Sequence, residues 1–283
     1  MDKKYNALCF STSKFVTKFY STSFYSASQY FSKEIQEAIF SIYGFVRLAD
    51  EIVDSFHFSD KEYLLRKFES DYYDAVKNGI SLNPILHSFQ MTVGKYGISD
   101  EYVQHFLSSM KADLEKKEYK SQIELNTYVY GSADVVGLMC LKVFCKGDEE
   151  LFDRLMLPAT KLGSAFQKVN FLRDIKQDTQ ELGRHYFPQI IEEGLTEKTK
   201  KELVEDIRKD FDDAYKGIVL LPTDSRLGVL IAYKYYTALL RKIEKTSAGE
   251  ILNKRIRISN ARKTFLVLST QIKYYLRACH GNK

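Results

Sequence analysis

Two stretches decide how this chain is read: Tyr43-Gly-Phe-Val-Arg47-Leu-Ala-Asp50-Glu51-Ile-Val-Asp54 and Gln167-Lys-Val-Asn170-Phe-Leu-Arg173-Asp174-Ile-Lys-Gln-Asp178. On a helix Tyr43, Arg47, Asp50 and Asp54 share one face, and so do Gln167, Asn170, Asp174 and Asp178. The residues between them are largely apolar: Phe45, Val46, Ile52 and Val53 in the first, Val169, Phe171 and Leu172 in the second. Each stretch therefore reads as a mostly buried helix carrying one polar stripe.

Aspartates at i and i+4 repel by roughly 0.2–0.5 kcal/mol when exposed, and by more when buried. A divalent cation offsets that repulsion directly. Two facing pairs, Asp50 with Asp54 and Asp174 with Asp178, suit Mg²⁺, which prefers hard oxygen ligands and keeps positions open for phosphates. Arg47 and Arg173 stand beside the pairs, where a guanidinium can meet diphosphate oxygens in bidentate fashion. The chain also holds Asp206 and Asp210 at the same spacing, set among Glu202, Glu205, Lys209, Asp212 and Asp213. That pair reads as a solvated helix face, the ordinary meaning of one such spacing. Two pairs with matching amide and arginine partners on apolar helices point the other way.

Outward from these stretches, the 283 residues are 45% apolar and 28% charged, the balance of a folded chain rather than a disordered one. With 4 Pro and 14 Gly there is room for long helices. Apolar rows at helical spacing recur, as in Ile35, Ile39, Ile42 and Val46, or Leu155, Ala159, Leu162, Phe166 and Val169. Strand-like alternation is rare. The reading is all-α, about eight to ten helices in one domain over residues 1–283. Ser59-Asp-Lys-Glu62 reads as a capping box and Asp148 as a helix start. The 20 Tyr and 19 Phe suit either core packing or the lining of a long apolar cavity.

Cys9, Cys140, Cys145 and Cys279 fit neither a metal-ligand spacing nor a disulfide framework, which suits a reducing compartment. Residues 1–20 lack the apolar core of a signal peptide, and Val135 to Cys145 is too short to span a bilayer. A cytoplasmic location is expected. Residues 241–283 hold 11 Lys/Arg against two Glu, while residues 1–240 are net acidic. A basic end of this kind meets nucleic acid, anionic lipid or a phosphorylated small molecule. No nucleic-acid recognition motif accompanies it, so no nucleic-acid partner is expected.

The two stretches and their surroundings resemble the squalene and phytoene synthase family, and within it bacterial phytoene synthases. The likeness also runs through Tyr20-Ser21-Thr22-Ser23-Phe24, Tyr128-Val-Tyr-Gly-Ser-Ala-Asp-Val-Val-Gly137 and Gly183-Arg-His-Tyr-Phe-Pro188. Five motifs in order are far more specific than one pair of aspartates. The resemblance implies the isoprenoid synthase fold, a single large helical bundle with a central cavity and the aspartate pairs at its mouth. It implies that Asp50, Asp54, Asp174 and Asp178 coordinate Mg²⁺, with Mn²⁺ as an alternative. Ser21, Ser23, Tyr43, Arg47, Gln167 and Asn170 would hold or shield diphosphate, joined near the basic end by Arg255 and Lys263. Tyr128, Arg173 and Tyr236 would lie by the reacting carbons or the departing diphosphate. Tyr20 stands where some relatives carry His or Lys, and Glu51 where several carry Asp.

The activity implied is head-to-head condensation of two geranylgeranyl diphosphates to phytoene through a cyclopropylcarbinyl diphosphate, with no NADPH. Farnesyl diphosphate would give squalene or dehydrosqualene instead. A helical assembly partner without catalysis is the remaining alternative, although such a protein should have lost one of the four aspartates. The apolar product and the basic end suggest peripheral contact with the inner membrane. Plainer roles stay open: Ser21 and Ser23 as helix caps, Tyr128 and Tyr236 as core tyrosines, Gly131 and Gly137 as relief of crowding between helices. Gly183 to Pro188 reads either as an ordinary turn or as a segment that closes over bound diphosphate.

Overall fold

The computed structural model describes residues 3–56 and 59–280, with side chains through Leu276. Arg277, Cys279 and Lys283, counted above in the cysteine set and the basic end, lie outside the described side chains. The first half of the chain forms α1 (Lys3–Tyr20), α2 (Thr22–Ser28), α3 (Lys33–Asp54), α4 (Lys61–Asn78), α5 (Pro84–Tyr96), α6 (Asp100–Glu115) and α7 (Gln122–Val129). A π-helical turn at Tyr130–Asp134 then leads into α8 (Val135–Cys145). There follow α9 (Glu149–Gln180), α10 (Pro188–Glu193), α11 (Glu197–Ile218), α12 (Thr223–Lys245), α13 (Ala248–Ile251) and α14 (Asn260–His280). The architecture is all-α, with no strand among the described residues. The expected eight to ten helices undercounts it, because α2, α10 and α13 have 7, 6 and 4 residues and are too short to show periodicity, and α7 runs into α8 through the π turn.

Local chemistry sets many boundaries. Asp148 caps α9 by accepting from the Leu151 amide, and Thr196 and Thr199 form a reciprocal capping box at α11. At α4 the cap is Asp60, which accepts from the Tyr63 amide, so the Ser59–Glu62 box is corrected by one residue. Gly97, at φ 60, ends α5 in the left-handed conformation that costs glycine little.

Helix α9 runs through the middle of the bundle, packed against α8, α11, α12 and the π turn. Lys168 on α9, 8% exposed, pairs with Asp206 and Asp210 of α11 at 2.7 and 2.8 Å. Asp210 is 4% exposed and also meets Lys161. The solvated face expected for Asp206 and Asp210 holds for Asp206, which is exposed, and is corrected for Asp210, a buried structural anion that ties α11 to α9. Helix α3 is pinned by Phe45, fully buried among Phe68, Tyr72, Phe89 and Phe106, with the Phe89 ring 3.9 Å away. Burying such a side chain contributes roughly 1.5–3 kcal/mol. It also fixes the rotation of α3, and with it the direction of the polar stripe.

The π turn joins α7 to α8 without a break, making a run from Gln122 to Cys145 of 24 residues that is long and apolar enough to cross a membrane. Val135–Cys145 is too short to span a bilayer by itself; the length comes from its continuation back to Gln122, which the sequence reading did not join to it. In the bundle this run is a core element, packed on α6 and α9. Its contact with α9 is close because Gly163 has no side chain: a Cβ there would sit 2.8 Å from the Ala133 carbonyl oxygen and 3.0 Å from the Asp134 Cα. Gly163→Ala is expected to cost about 1–3 kcal/mol through overpacking against backbone. Thermal unfolding should show it as a lowered Tm, while the same change at Gly249, where nothing lies within 4 Å, should not.

Candidate active site

Between α3, α8, α9, α11 and α12 lies a cavity of about 480 Å³. One end is apolar, lined by Phe31, Phe144, Leu155, Ile218, Leu221 and Val229. Leu155, Ala159, Leu162 and Phe166, read from the sequence as a core row, turn one helical face to this space, which is why the last three are only partly buried. The other end is polar. Ser21, Tyr43, Arg47 and Asp50 meet Gln167, Asn170, Arg173, Tyr236 and Arg255 there.

The four aspartates lie along the outward run of α3 and α9 from this polar end, and among the described residues each pair has one member held by arginine and one with no direct cationic partner. Asp54 accepts from Arg184 Nη1 at 2.8 Å. Asp174 is held by Arg173 and by Arg255, whose Nε lies 2.6 Å from it. Among the described residues, no Lys or Arg pairs directly with Asp50 or Asp178. Withdrawal from water, then the neighbouring Asp54, pushes the Asp50 carboxyl up to about 7. Asp178 is pushed up to about 8 by withdrawal from water, then by Asp174, with Asp54 adding to it. No three His, Cys, Asp or Glu side chains converge as a ready-made metal site among the described residues, since arginines take up one carboxylate of each pair.

The donor set nevertheless fits a hard divalent cation: four carboxylates, no sulfur, and two of the four short of positive charge. An anion fits the arginines. The Arg47 guanidinium pairs with Glu51 and lies under the Tyr20 ring, 4.4 Å from its centroid. Its buried Nε has no acceptor and stands at the cavity wall.

Two functional residues were missed in the sequence. Arg184, 3% exposed, follows Gly183, whose φ of 64 turns the chain back toward the bundle. Besides Asp54 it donates to the Asp113 carbonyl at 3.2 Å, and its own amide donates to the Asp178 carbonyl at 2.7 Å. It thus fastens the outer ends of α3 and α9 to α6. Asp113, 3% exposed, accepts from the Tyr128 hydroxyl at 2.8 Å. Its signal was present: Val103, Phe106, Leu107 and Met110 set an apolar period on α6, and Asp113 falls on that face.

The remaining expected residues divide. Ser21 caps α2 through the Phe24 amide and also lines the cavity, so both readings hold at once. Ser23 and Lys263 do not line it; the Lys263 ammonium sits over the Tyr235 ring. Tyr236 lines it, stacked on Phe166, and donates to Asn170 at 3.3 Å. Tyr128 lines it within a stack of Tyr119, Phe171 and Tyr186. Burial pushes the Tyr43 phenol up to about 12, against the pull of Arg47, and holds Tyr128 well above the ordinary range. Both are neutral hydrogen-bond donors at neutral pH.

Residues 17–262 match the model of the squalene/phytoene synthase family. The chain belongs to that family. Phytoene synthase 1 of the tomato Solanum lycopersicum is 29% identical over 251 residues, covering 81% of this chain but 60% of the tomato protein. This chain thus spans about three-fifths of that plant relative. The phytoene synthase of Arthrospira platensis is 25% identical, covering 84% of each chain. A dehydrosqualene synthase crystal structure superposes with a TM-score of 0.82 over 97% of this chain and 99% of its own, at 23% identity, a likeness of fold.

The two raised carboxyls set a pH dependence in the cation-free protein. The folded chain keeps protons on Asp50 and Asp178 that the unfolded chain releases near pH ~4, so stability falls as pH rises through about 7 and about 8. Asp178→Asn removes its share of that cost. In chelator, its Tm should exceed that of the parent by more at about pH 8.5 than at about pH 5. Equal differences at both pH values would count against the uncompensated charge.

Proposed function

We propose that the chain is a prenyltransferase that joins two prenyl diphosphates head to head, with geranylgeranyl diphosphate as substrate and phytoene as product. The observation that carries this reading is one cavity with three arginines and the unpaired Asp50 at one end and apolar side chains at the other, with Asp178 farther out along α9. An allylic diphosphate has the same division, an anionic head on a long hydrocarbon tail.

Asp50, Asp54, Asp174 and Asp178 would hold Mg²⁺. Bound there, it would supply Lewis-acid withdrawal of charge from the allylic C–O bond. Diphosphate would draw Arg47 from Glu51, and Arg173 and Arg255 from Asp174, exchanging internal ion pairs for bidentate contacts with the anion. The neutral phenols of Tyr43 and Tyr128 can donate to the departing diphosphate without adding charge.

Loss of diphosphate leaves an allyl cation, which the double bond of the second substrate attacks; loss of a proton from the resulting tertiary cation closes the ring and gives a cyclopropylcarbinyl diphosphate. Its ionisation, rearrangement and loss of a proton give phytoene. The apolar wall excludes water that would quench these cations. The faces of Phe24, Phe166 and Tyr236 line the space where positive charge would move. No hydride enters this sequence, so no nicotinamide is needed.

Purified protein with Mg²⁺ and geranylgeranyl diphosphate, without NADPH, should yield a C40 hydrocarbon in the organic extract. Asp50→Ala or Asp174→Ala should lower turnover at least about a hundredfold, as loss of a main electrostatic stabiliser does. A C30 product from farnesyl diphosphate alone would move the substrate to the shorter chain. No product from either substrate would overturn the catalytic reading.

A further inference from the structure

Two long helices leave an apolar stripe uncovered, and both are basic. On α14 the inward face is Leu266, Val267, Thr270 and Tyr274, with Val267 and Tyr274 packed against Leu227 and Ile231 of α12 and Ala27 of α2. On the opposite face Phe265, Leu268, Ile272 and Tyr275 are 68, 53, 60 and 57% exposed. Helical spacing sets them in one stripe, with Arg262 and Lys273 along one edge. On α1, Leu8, Phe15 and Phe19 are 56, 65 and 70% exposed, also in one row, beside Lys14 and Lys18. A packed bundle has no internal reason to present such rows; contiguous apolar patches of this kind mark a surface that is covered in use.

Charge identifies what covers them. Helix α1 has four Lys and no Asp or Glu. From Ile251 to Leu276 there are six Lys or Arg and no acid. An apolar stripe whose only charged neighbours along the helix are cations fits the interface of an anionic bilayer, with the apolar side chains among acyl chains and the cations at the headgroups. A second copy meeting this face through a twofold axis would oppose cation to cation. A nucleic acid would use the charges but leave the Phe and Ile rows in water.

The placement joins this surface to the cavity. Helix α1 ends at Tyr20, which lines the polar end of the cavity and covers Arg47, and Phe19 packs edge-on against Tyr20. Helix α14 starts shortly after Arg255, which lines the same end. Helix α2 packs against both α1 and α12, the helix on which α14 lies. We propose that α1 and α14 form an in-plane anchor on an anionic lipid surface, which holds the polar end of the cavity toward the membrane. The anchor is a property of the two exposed faces and stands whether or not the proposed condensation is the reaction.

The test is flotation of the full chain with extruded vesicles of phosphatidylcholine, with and without phosphatidylglycerol, alongside hydrocarbon formation from the same preparation. The protein should float with the anionic vesicles and stay behind with the zwitterionic ones. Arg262→Gln with Lys273→Gln should weaken partition about 30-fold, from about 1 kcal/mol per cation near an anionic surface. Phe265→Glu with Ile272→Glu should weaken it about tenfold or more, with circular dichroism and Tm unchanged. The proposal is overturned if the parent stays soluble with anionic vesicles, if either double variant floats as well as the parent, or if both vesicle types bind equally. It is also overturned if sedimentation shows a dimer that Phe265→Glu with Ile272→Glu disperses while vesicles never bind. Flotation without hydrocarbon would retain the anchor and remove the condensation; hydrocarbon without flotation would do the reverse.

Discussion

The arrangement depends on two carboxyl groups for which the protein itself supplies no direct countercharge. Asp50 and Asp178 stand on two core helices, each one turn from a second aspartate, and neither has a direct cationic partner among the described residues. Arginines are nearby, yet they are committed elsewhere: Arg47 to Glu51, Arg173 and Arg255 to Asp174, Arg184 to Asp54. The ion pairs therefore divide the four carboxylates into two that are held and two that wait. Half-buried carboxyls that keep their protons for want of a partner are costly to ionise, and their persistence is intelligible when a ligand supplies the missing charge.

The scaffold keeps that tension in place from both sides. Phe45 and its aromatic neighbours fix the rotation of α3, and Lys168 with Asp210 locks α9 to α11. Arg184 then ties the outer ends of α3 and α9 to α6 through Asp54, Asp178 and Asp113. The same α9 supplies two environments along its length: Leu155 to Phe166 face the apolar end of the cavity, and Asn170 to Asp178 the polar end and the rim. One continuous helix, with Pro158 inside it, thus presents a greasy stretch at one end and a polar one at the other. The exposed rows on α1 and α14 continue that division outward, beside Tyr20 and Arg255.

Much of this was legible in the chain because helical periodicity carries it. The two polar stripes, the apolar rows and the all-α class follow from spacing alone, and the motif order led to the family. Other features needed three dimensions. Asp206 and Asp210 have the spacing of a site and the company of a surface, and only the approach of Lys168 from α9 shows that Asp210 is a structural anion. Asp113 was visible as a charge on an apolar period, but its partners Tyr128 and Arg184 are distant in sequence. The apolar face of α14 reads like any amphipathic helix until the bundle shows that its other face is the one in contact.

The most direct measurement is calorimetric titration of the full chain with Mg²⁺ in the presence of inorganic diphosphate, near pH 7, in two buffers of different ionisation enthalpy. If Asp50 and Asp178 hold protons until a cation replaces them, binding should release on the order of one proton, and Asp50→Asn with Asp178→Asn should abolish the release. Binding with no proton release, or release that survives in the double variant, would contradict the account of two uncompensated carboxylates.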